Sequence, residues 1–117
     1  MNEPKLLEHI EQLLDEQRFD EAEVLLLEQL DRKSNLAAVY NALAIIAIES
    51  YQDYIRAEKY YRQAIELNPE SPTLYFNLAI LYEQFLSQPS EAIMYYKEAI
   101  SLDSNYVDAY INLAELC

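Results

Sequence analysis

The sequence predicts an all-α fold, an α-solenoid of antiparallel helix pairs, on two observations. The first is internal repetition. Slid along itself by 35 residues, the chain sets Tyr40, Leu43 and Ala44 on Tyr75, Leu78 and Ala79, and then on Tyr110, Leu113 and Ala114. Between these triplets, Ala57, Tyr60, Tyr61, Ala64, Ile65 and Leu67 return as Ala92, Tyr95, Tyr96, Ala99, Ile100 and Leu102. A fixed period of this size marks stacked units, each burying its apolar face against its neighbours. The second observation is composition. The 117 residues include no glycine, while Ala, Leu, Ile, Glu and Gln abound. Without a residue that takes φ > 0 freely, tight hairpins are disfavoured and helix is favoured throughout.

Seven helices follow in order. Residues 4–16 place Leu6, Leu7, Ile10, Leu13 and Leu14 on one face, with Glu8, Glu11, Asp15 and Glu16 opposite. Pro4 suits the first turn, where its missing N–H costs nothing. A second helix over 19–32 turns Phe19, Ala22, Leu25, Leu26 and Leu30 inward, with Val24 and Leu27 widening the apolar arc. Ser34 or Asn35 is positioned to cap a third, 36–49, in which Asn41 is the one clearly polar residue before its end. A helix apolar all round is expected to be buried all round. The fourth, 53–67, starts at Asp53 and stops before Asn68-Pro69. Ser71 and Pro72 open the fifth, to Phe85; Ser87 and Pro89 open the sixth, to Leu102; Ser104 or Asn105 caps the seventh. Small residues at Ala44, Ala79 and Ala114, and at Ala57, Ala64, Ala92 and Ala99, mark where paired helices approach. Tyr61 and Tyr96 fill the space beside them.

Charge and cysteine usage exclude several functions. The formal net charge is −13, divided as −6 over residues 1–34, −2 over 35–70 and −5 over 71–117. The last third carries one basic residue, Lys97, so a nucleic-acid surface is not expected. Anionic membranes are disfavoured by the same balance, and no apolar run reaches the length of a bilayer span. The charged first residues are not expected to form a signal peptide. A single cysteine, Cys117, allows no disulfide framework, and the expected compartment is the reducing cytoplasm. With His9 the lone histidine, no metal cluster and no nucleophile–base pair is visible. The expectation is a non-enzymatic chain with no cofactor and no metal.

At its repeated residues the chain resembles the tetratricopeptide repeat family. That family's pattern appears at Tyr40, Leu43, Ala44, Ala47, Ala57, Tyr61, Ala64 and Pro69. It returns at Tyr75, Leu78, Ala79, Tyr82, Ala92, Tyr96, Ala99 and Ser104, and begins again at Tyr110, Leu113, Ala114 and Cys117. Residues 1–34 match weakly, at Phe19, Ala22 and Leu26, with Ile10 and Gln29 where small residues are usual. The expected organisation is a divergent hairpin at 1–34, repeats at 35–70 and 71–105, and a further first helix or cap at 106–117, together one right-handed superhelix. Each repeat is one residue longer than the family's usual unit, the extra residue falling near 50–53 and 85–89.

The resemblance implies a concave groove lined by the first helix of each pair. Its candidate residues are Leu7, Leu14, Asn41, Ile45, Ile48, Phe76, Ile80, Glu83 and Ile111. Asn77 and Asn112, again 35 apart, are candidates to bond the main chain of an extended ligand. The cationic clamp with which family members grip acidic chaperone tails is missing, its positions being taken by Asn41, Ile45, Phe76, Ile80, Ile111 and Glu115. The implied function is therefore a protein-interaction module for an apolar peptide or amphipathic helix. The alternative is a structural segment of a longer repeat protein, or a self-assembling one. For that alternative the candidates are Tyr110, Leu113, Leu116 and Cys117, on a seventh helix whose polar residues form only a narrow stripe. A homodimer through this helix is the corresponding partner.

Overall fold

The computed structural model describes residues 3–33 and 36–116. Among these are seven helices and no strand: α1 (Glu3–Asp15), α2 (Phe19–Arg32), α3 (Leu36–Glu49), α4 (Tyr54–Leu67), α5 (Pro72–Gln84), α6 (Pro89–Leu102) and α7 (Val107–Leu116). Every substantial interface joins consecutive helices, as a solenoid requires, and α3/α4 and α5/α6 are the most intimate. Their closeness follows from the alanines. Ala44, Ala57, Ala64, Ala79, Ala92 and Ala99 are all fully buried, with Tyr61 and Tyr96 packed alongside. In α1/α2 the small residues give way to Ile10 and Gln29, both buried, and the two helices lie less closely together.

Two apolar clusters form the interior, and α3 supplies both. Val39, Leu43 and Ile46 join Ile10, Leu13, Ala22 and Leu26 of the first pair. Ala44 and Ala47 join the larger cluster that runs through α4, α5 and α6 to Ala109 of α7. This double duty explains the apolar composition of α3. It is not buried all round, however: Asn41, Ile45 and Ile48 stay half-exposed, because two neighbouring layers cannot cover a whole circumference.

Several expected details are corrected. Val24 and Leu27 do not join the core; they are 58% and 48% exposed, since α2 has more apolar arc than its neighbours cover. Ala114 is exposed. Ser71 holds the N-cap position of α5 with Pro72 in the first turn, as expected, but its side chain makes no cap bond. Ser87 does not cap α6; Gln88 holds that position. Nor do Ser104 and Asn105 cap α7. The Asp103 carboxylate accepts the Asn105 N–H at 3.0 Å, an Asx-type turn, and the Tyr106 carbonyl accepts the Tyr110 N–H at 3.4 Å. Asp53 does cap α4, accepting the Arg56 N–H at 3.1 Å. Ser34 and Asn35 lie outside the described residues.

The missing glycines have a local cost. Gln17, Gln52 and Ser87 adopt φ of 59°, 51° and 53°, and Lys33, which ends α2, adopts 56°. The first three are 35 residues apart, one in each turn within a pair. The next N–H then folds back onto the preceding helix. Arg18 donates to the Leu13 carbonyl at 2.8 Å, Asp53 to Ala47 at 2.8 Å and Gln88 to Tyr82 at 2.9 Å. The bond spans five residues in the first turn and six in the others, which locates the extra residue of the longer repeats. A left-handed non-glycine residue costs roughly 1–2 kcal/mol, tolerated here because the turn closes the helix end.

A polar network on α4, α5 and α6 ties successive repeats. The Tyr82 hydroxyl donates to Glu58 and accepts from Arg62, whose guanidinium also reaches the Tyr95 hydroxyl at 3.3 Å. The Tyr82 and Tyr95 rings stack at 5.6 Å, nearly parallel. Burial holds the hydroxyls of Tyr61, Tyr82 and Tyr96 well above the usual tyrosine range; hydrogen bonds to Glu58 and Glu83 push Tyr82 and Tyr96 further.

Two outcomes are expected. Gln52→Gly relieves the left-handed strain at the smaller cost of a looser unfolded chain, so urea unfolding should show a gain of about 0.5–1 kcal/mol; a loss would contradict the strain argument. The buried tyrosines have raised folded pKa values, so their contribution is whole below pH of about 10 and is lost as pH rises beyond it. Stability should then fall by roughly 1.4 kcal/mol per pH unit for each of the three. Tyrosinate absorbance that rises in full before helicity is lost would refute this.

Candidate functional site

The candidate site is the face built by the first helices of the pairs. Its residues are offset from the core positions. In α3, Leu43, Ala44 and Ala47 are buried while Asn41, Ile45 and Ile48 are half-exposed; in α5, Leu78, Ala79 and Tyr82 are buried while Phe76, Ile80 and Glu83 are half-exposed. A step of one residue turns a helical side chain by about 100°, so two registers of one sequence serve packing and surface separately. On α7, Ala109 is buried, Asn112 half-exposed, and Ile111 50% exposed. Leu7 and Leu14 on α1 are half-buried, and Leu14 packs against the first cluster.

Polar side chains bridge the helices along this face. The Asn77 Nδ2 donates to Asn41 Oδ1 at 2.9 Å, joining α5 to α3. The Tyr96 hydroxyl donates to Glu83 Oε1 at 2.5 Å and accepts from Asn112 Nδ2 at 3.2 Å, joining α5, α6 and α7. Beside this node the Phe76 ring stacks on Tyr106 at 4.9 Å and tilts against Tyr96 at 5.7 Å. Raised far above neutral pH by burial, the Tyr96 hydroxyl keeps its proton and directs it at Glu83.

The structure thus brings Asn41 and Asn77 together, and Phe76, Glu83 and Asn112 together around Tyr96; Leu7 is half-buried on α1. Neither Asn77 nor Asn112 is without a partner within the chain. The residues considered for self-association divide. Tyr110 is exposed, Leu113 and Leu116 are half-buried against the larger cluster, and Cys117 lies outside the described residues. Sequence reasoning missed Tyr96 and Tyr106 as parts of this face. Tyr96 recurs with Tyr61 and reads as core, but Ile48 stands one repeat before Glu83, so the carboxylate partner is unique to the later repeat.

Among the described residues no three or more His, Cys, Asp or Glu side chains gather where a metal ion would bind. No helix among them is long and apolar enough to cross a membrane.

Two family models match the chain, one described as TPR repeat over residues 47–84 and one as tetratricopeptide repeat over residues 72–106. No curated protein sequence matches it. Among solved structures it is similar to the first TPR of Spaghetti (RPAP3) bound to the HSP90 peptide SRMEEVD, with 20% identity and a TM-score of 0.82 over 95% of this chain and 86% of that one. It is also similar to the second TPR domain of human RPAP3 in complex with the HSP70 peptide SGPTIEEVD, with 18% identity and a TM-score of 0.79 over 95% and 91%. The UNC-45 chaperone that binds and folds muscle myosin aligns at 21% identity and a TM-score of 0.76, over 96% of this chain but 12% of UNC-45. The chain belongs to the tetratricopeptide repeat family, and its fold is theirs.

The Tyr96 node generates one expectation. Tyr96→Phe keeps the buried ring but strips Glu83 and Asn112 of their shared partner, so urea unfolding should register a loss of about 1–2 kcal/mol. A change within error would show that water replaces the hydroxyl at no cost.

Proposed function

We propose that this tetratricopeptide repeat chain is a non-catalytic docking module of the cytoplasm. It holds an apolar segment of another protein, or one face of an amphipathic helix, against α3, α5 and α7 as the concave wall of its superhelix. The observation that carries this reading is the repeated, half-exposed apolar register Ile45, Ile48, Phe76, Ile80 and Ile111. Leu7 extends that wall on α1, and Asn41, Asn77, Glu83 and Asn112 supply its polar contacts. Organised this way the repeats are 1–34, 35–70 and 71–105, followed by α7 in 106–117.

The peptide-bound RPAP3 structures support peptide docking as the use of such a face, but not the same ligand. Their peptides end in Glu-Glu-Val-Asp. Seating a carboxylate-rich end out of water requires cations. In this chain α3, α5 and α7 contain no Lys, Arg or His.

A second reading has the apolar surfaces serve as contacts with another copy or with further repeats of a longer chain. It is favoured by α7, where Val107 is 64% exposed, Tyr110 46% and Ile111 50%. Light scattering at micromolar concentration separates the readings. A monomer unaltered by Tyr110→Glu excludes the dimer.

The docking reading is tested with Ile80→Asn and Phe76→Ala. Proteins captured by the wild type, identified by mass spectrometry, should be lost from both variants while helicity is retained. Burying one such side chain in a partner is worth about 1.5–3 kcal/mol, enough to weaken binding tenfold or more. If capture is unchanged, or if the variants instead lose about 2–5 kcal/mol of stability, these residues are core and the reading fails.

A further inference from the structure

The helices α3, α5 and α7 carry one sign of charge. Against no Lys, Arg or His, the helices α3, α5 and α7 hold Glu49, Glu83, Asp108 and Glu115. Arginines elsewhere in the chain are engaged in ion pairs. Arg18 meets Glu16 and Glu21, Arg56 meets Asp53, and Arg62 meets Glu58. Glu83 is half-buried, and its Oε1 accepts a hydrogen bond from the neutral Tyr96 hydroxyl, which supplies no countercharge. Asn112 bonds the same Tyr96 hydroxyl, and Glu115 lies one helical turn after Asn112 on the same side of α7. Beside Tyr96 the Phe76 ring is half-exposed, and Ile80 lies one helical turn before Glu83.

We propose that the occupant of this face is a positively charged amphipathic segment of another protein. Its apolar side chains lie along Ile45, Ile48 and Ile80, and a lysine or arginine is set against Glu83 with Glu115 beside it. The proposal rests on the docking reading above and adds the chemistry of the ligand. A half-buried carboxylate in a surface of reduced dielectric attracts a cation more strongly than an exposed one does. An acidic segment would meet Glu83 and Glu115 with no cation on α3, α5 or α7, and like charges across an interface are strongly disfavoured. A second copy is disfavoured for the same reason, because each chain carries a formal charge of −13 and would present this same face.

The test uses three labelled helical peptides with one shared leucine-rich face, whose polar face is all lysine, all glutamine or all glutamate. A fourth carries the lysine composition in scrambled order. Binding to the full chain is followed by fluorescence anisotropy at low and at physiological salt. The lysine peptide should bind about tenfold or more tightly than the glutamine peptide, lose most of that advantage as salt rises, and leave the glutamate peptide unbound. Glu83→Gln with Glu115→Gln should erase the lysine advantage while binding of the glutamine peptide persists. Equal, salt-insensitive binding of the lysine and glutamine peptides overturns this inference and leaves the docking reading intact. So does equal binding of the scrambled peptide, which would reduce the effect to bulk charge, or preferred binding of the glutamate peptide. If no peptide binds, or if Ile80→Asn changes nothing, the docking reading itself falls.

Discussion

The close approach of paired helices at alanine is the constraint on which the rest of this molecule depends. Ala44 against α4, and Ala79 against α6, let the backbones come within roughly 8–10 Å, and Tyr61 and Tyr96 occupy the space left beside them. Any larger residue at those alanines would either separate the pair or force strained rotamers. Once the pair geometry is set, the register of every other residue on the first helices is set with it. Ile45 and Ile80, the residues that follow these alanines, are turned toward the half-exposed face. The N-terminal pair shows the converse. With Ile10 and Gln29 in place of small residues, α1 and α2 stand less closely and depend on α3 for much of their shared cluster.

A glycine-free solenoid must still turn between helices, and this one does so with Gln17, Gln52 and Ser87 in the left-handed region. The strain is local and repeated, held in place by the N–H that folds back onto the preceding helix. Aromatic contacts secure the same turns from outside. Tyr54, opening α4, stacks on Phe85, closing α5, at 4.8 Å, and the Tyr51 hydroxyl reaches Glu23 of α2 at 2.7 Å. The turns are thus not passive connections; they join one repeat to the next.

Much of this was legible in the sequence because repetition reports packing. The 35-residue period, the alanine positions, the Asp53 cap and the proline starts of α5 and α6 all follow from residue type and spacing. What escaped depended on partners distant in the chain or on how far neighbours cover a helix. Val24 and Leu27 look like core until the coverage of α2 is known. The two repeated asparagines are the clearest case. Asn77 meets Asn41, but one repeat later Phe76 stands where Asn41 stood, so Asn112 has no amide to meet and bonds Tyr96 instead. Equivalent positions acquire different contacts because their neighbours diverge. The candidate face was therefore legible as a set of positions, while its polar node was not.

The same separation of registers explains why likeness of fold carries so little information about ligand. The packing register fixes the helix pairs, and tolerating it alone is enough to reproduce the superhelix at low identity. The face register is free to change sign or polarity without touching a single alanine contact. In this chain that register holds isoleucines and phenylalanine with carboxylates at Glu83 and Glu115 and without one cation on α3, α5 or α7. Glu83 in particular is held by Tyr96, a packing-register residue, so here the core itself fixes the orientation of a surface charge. A carboxylate anchored from beneath in this way loses little freedom when a cation meets it, which favours binding over a free surface acid. Under the proposed docking, specificity would reside in α5, α6 and α7, where the node is complete, rather than in the repeat pattern that identifies the family.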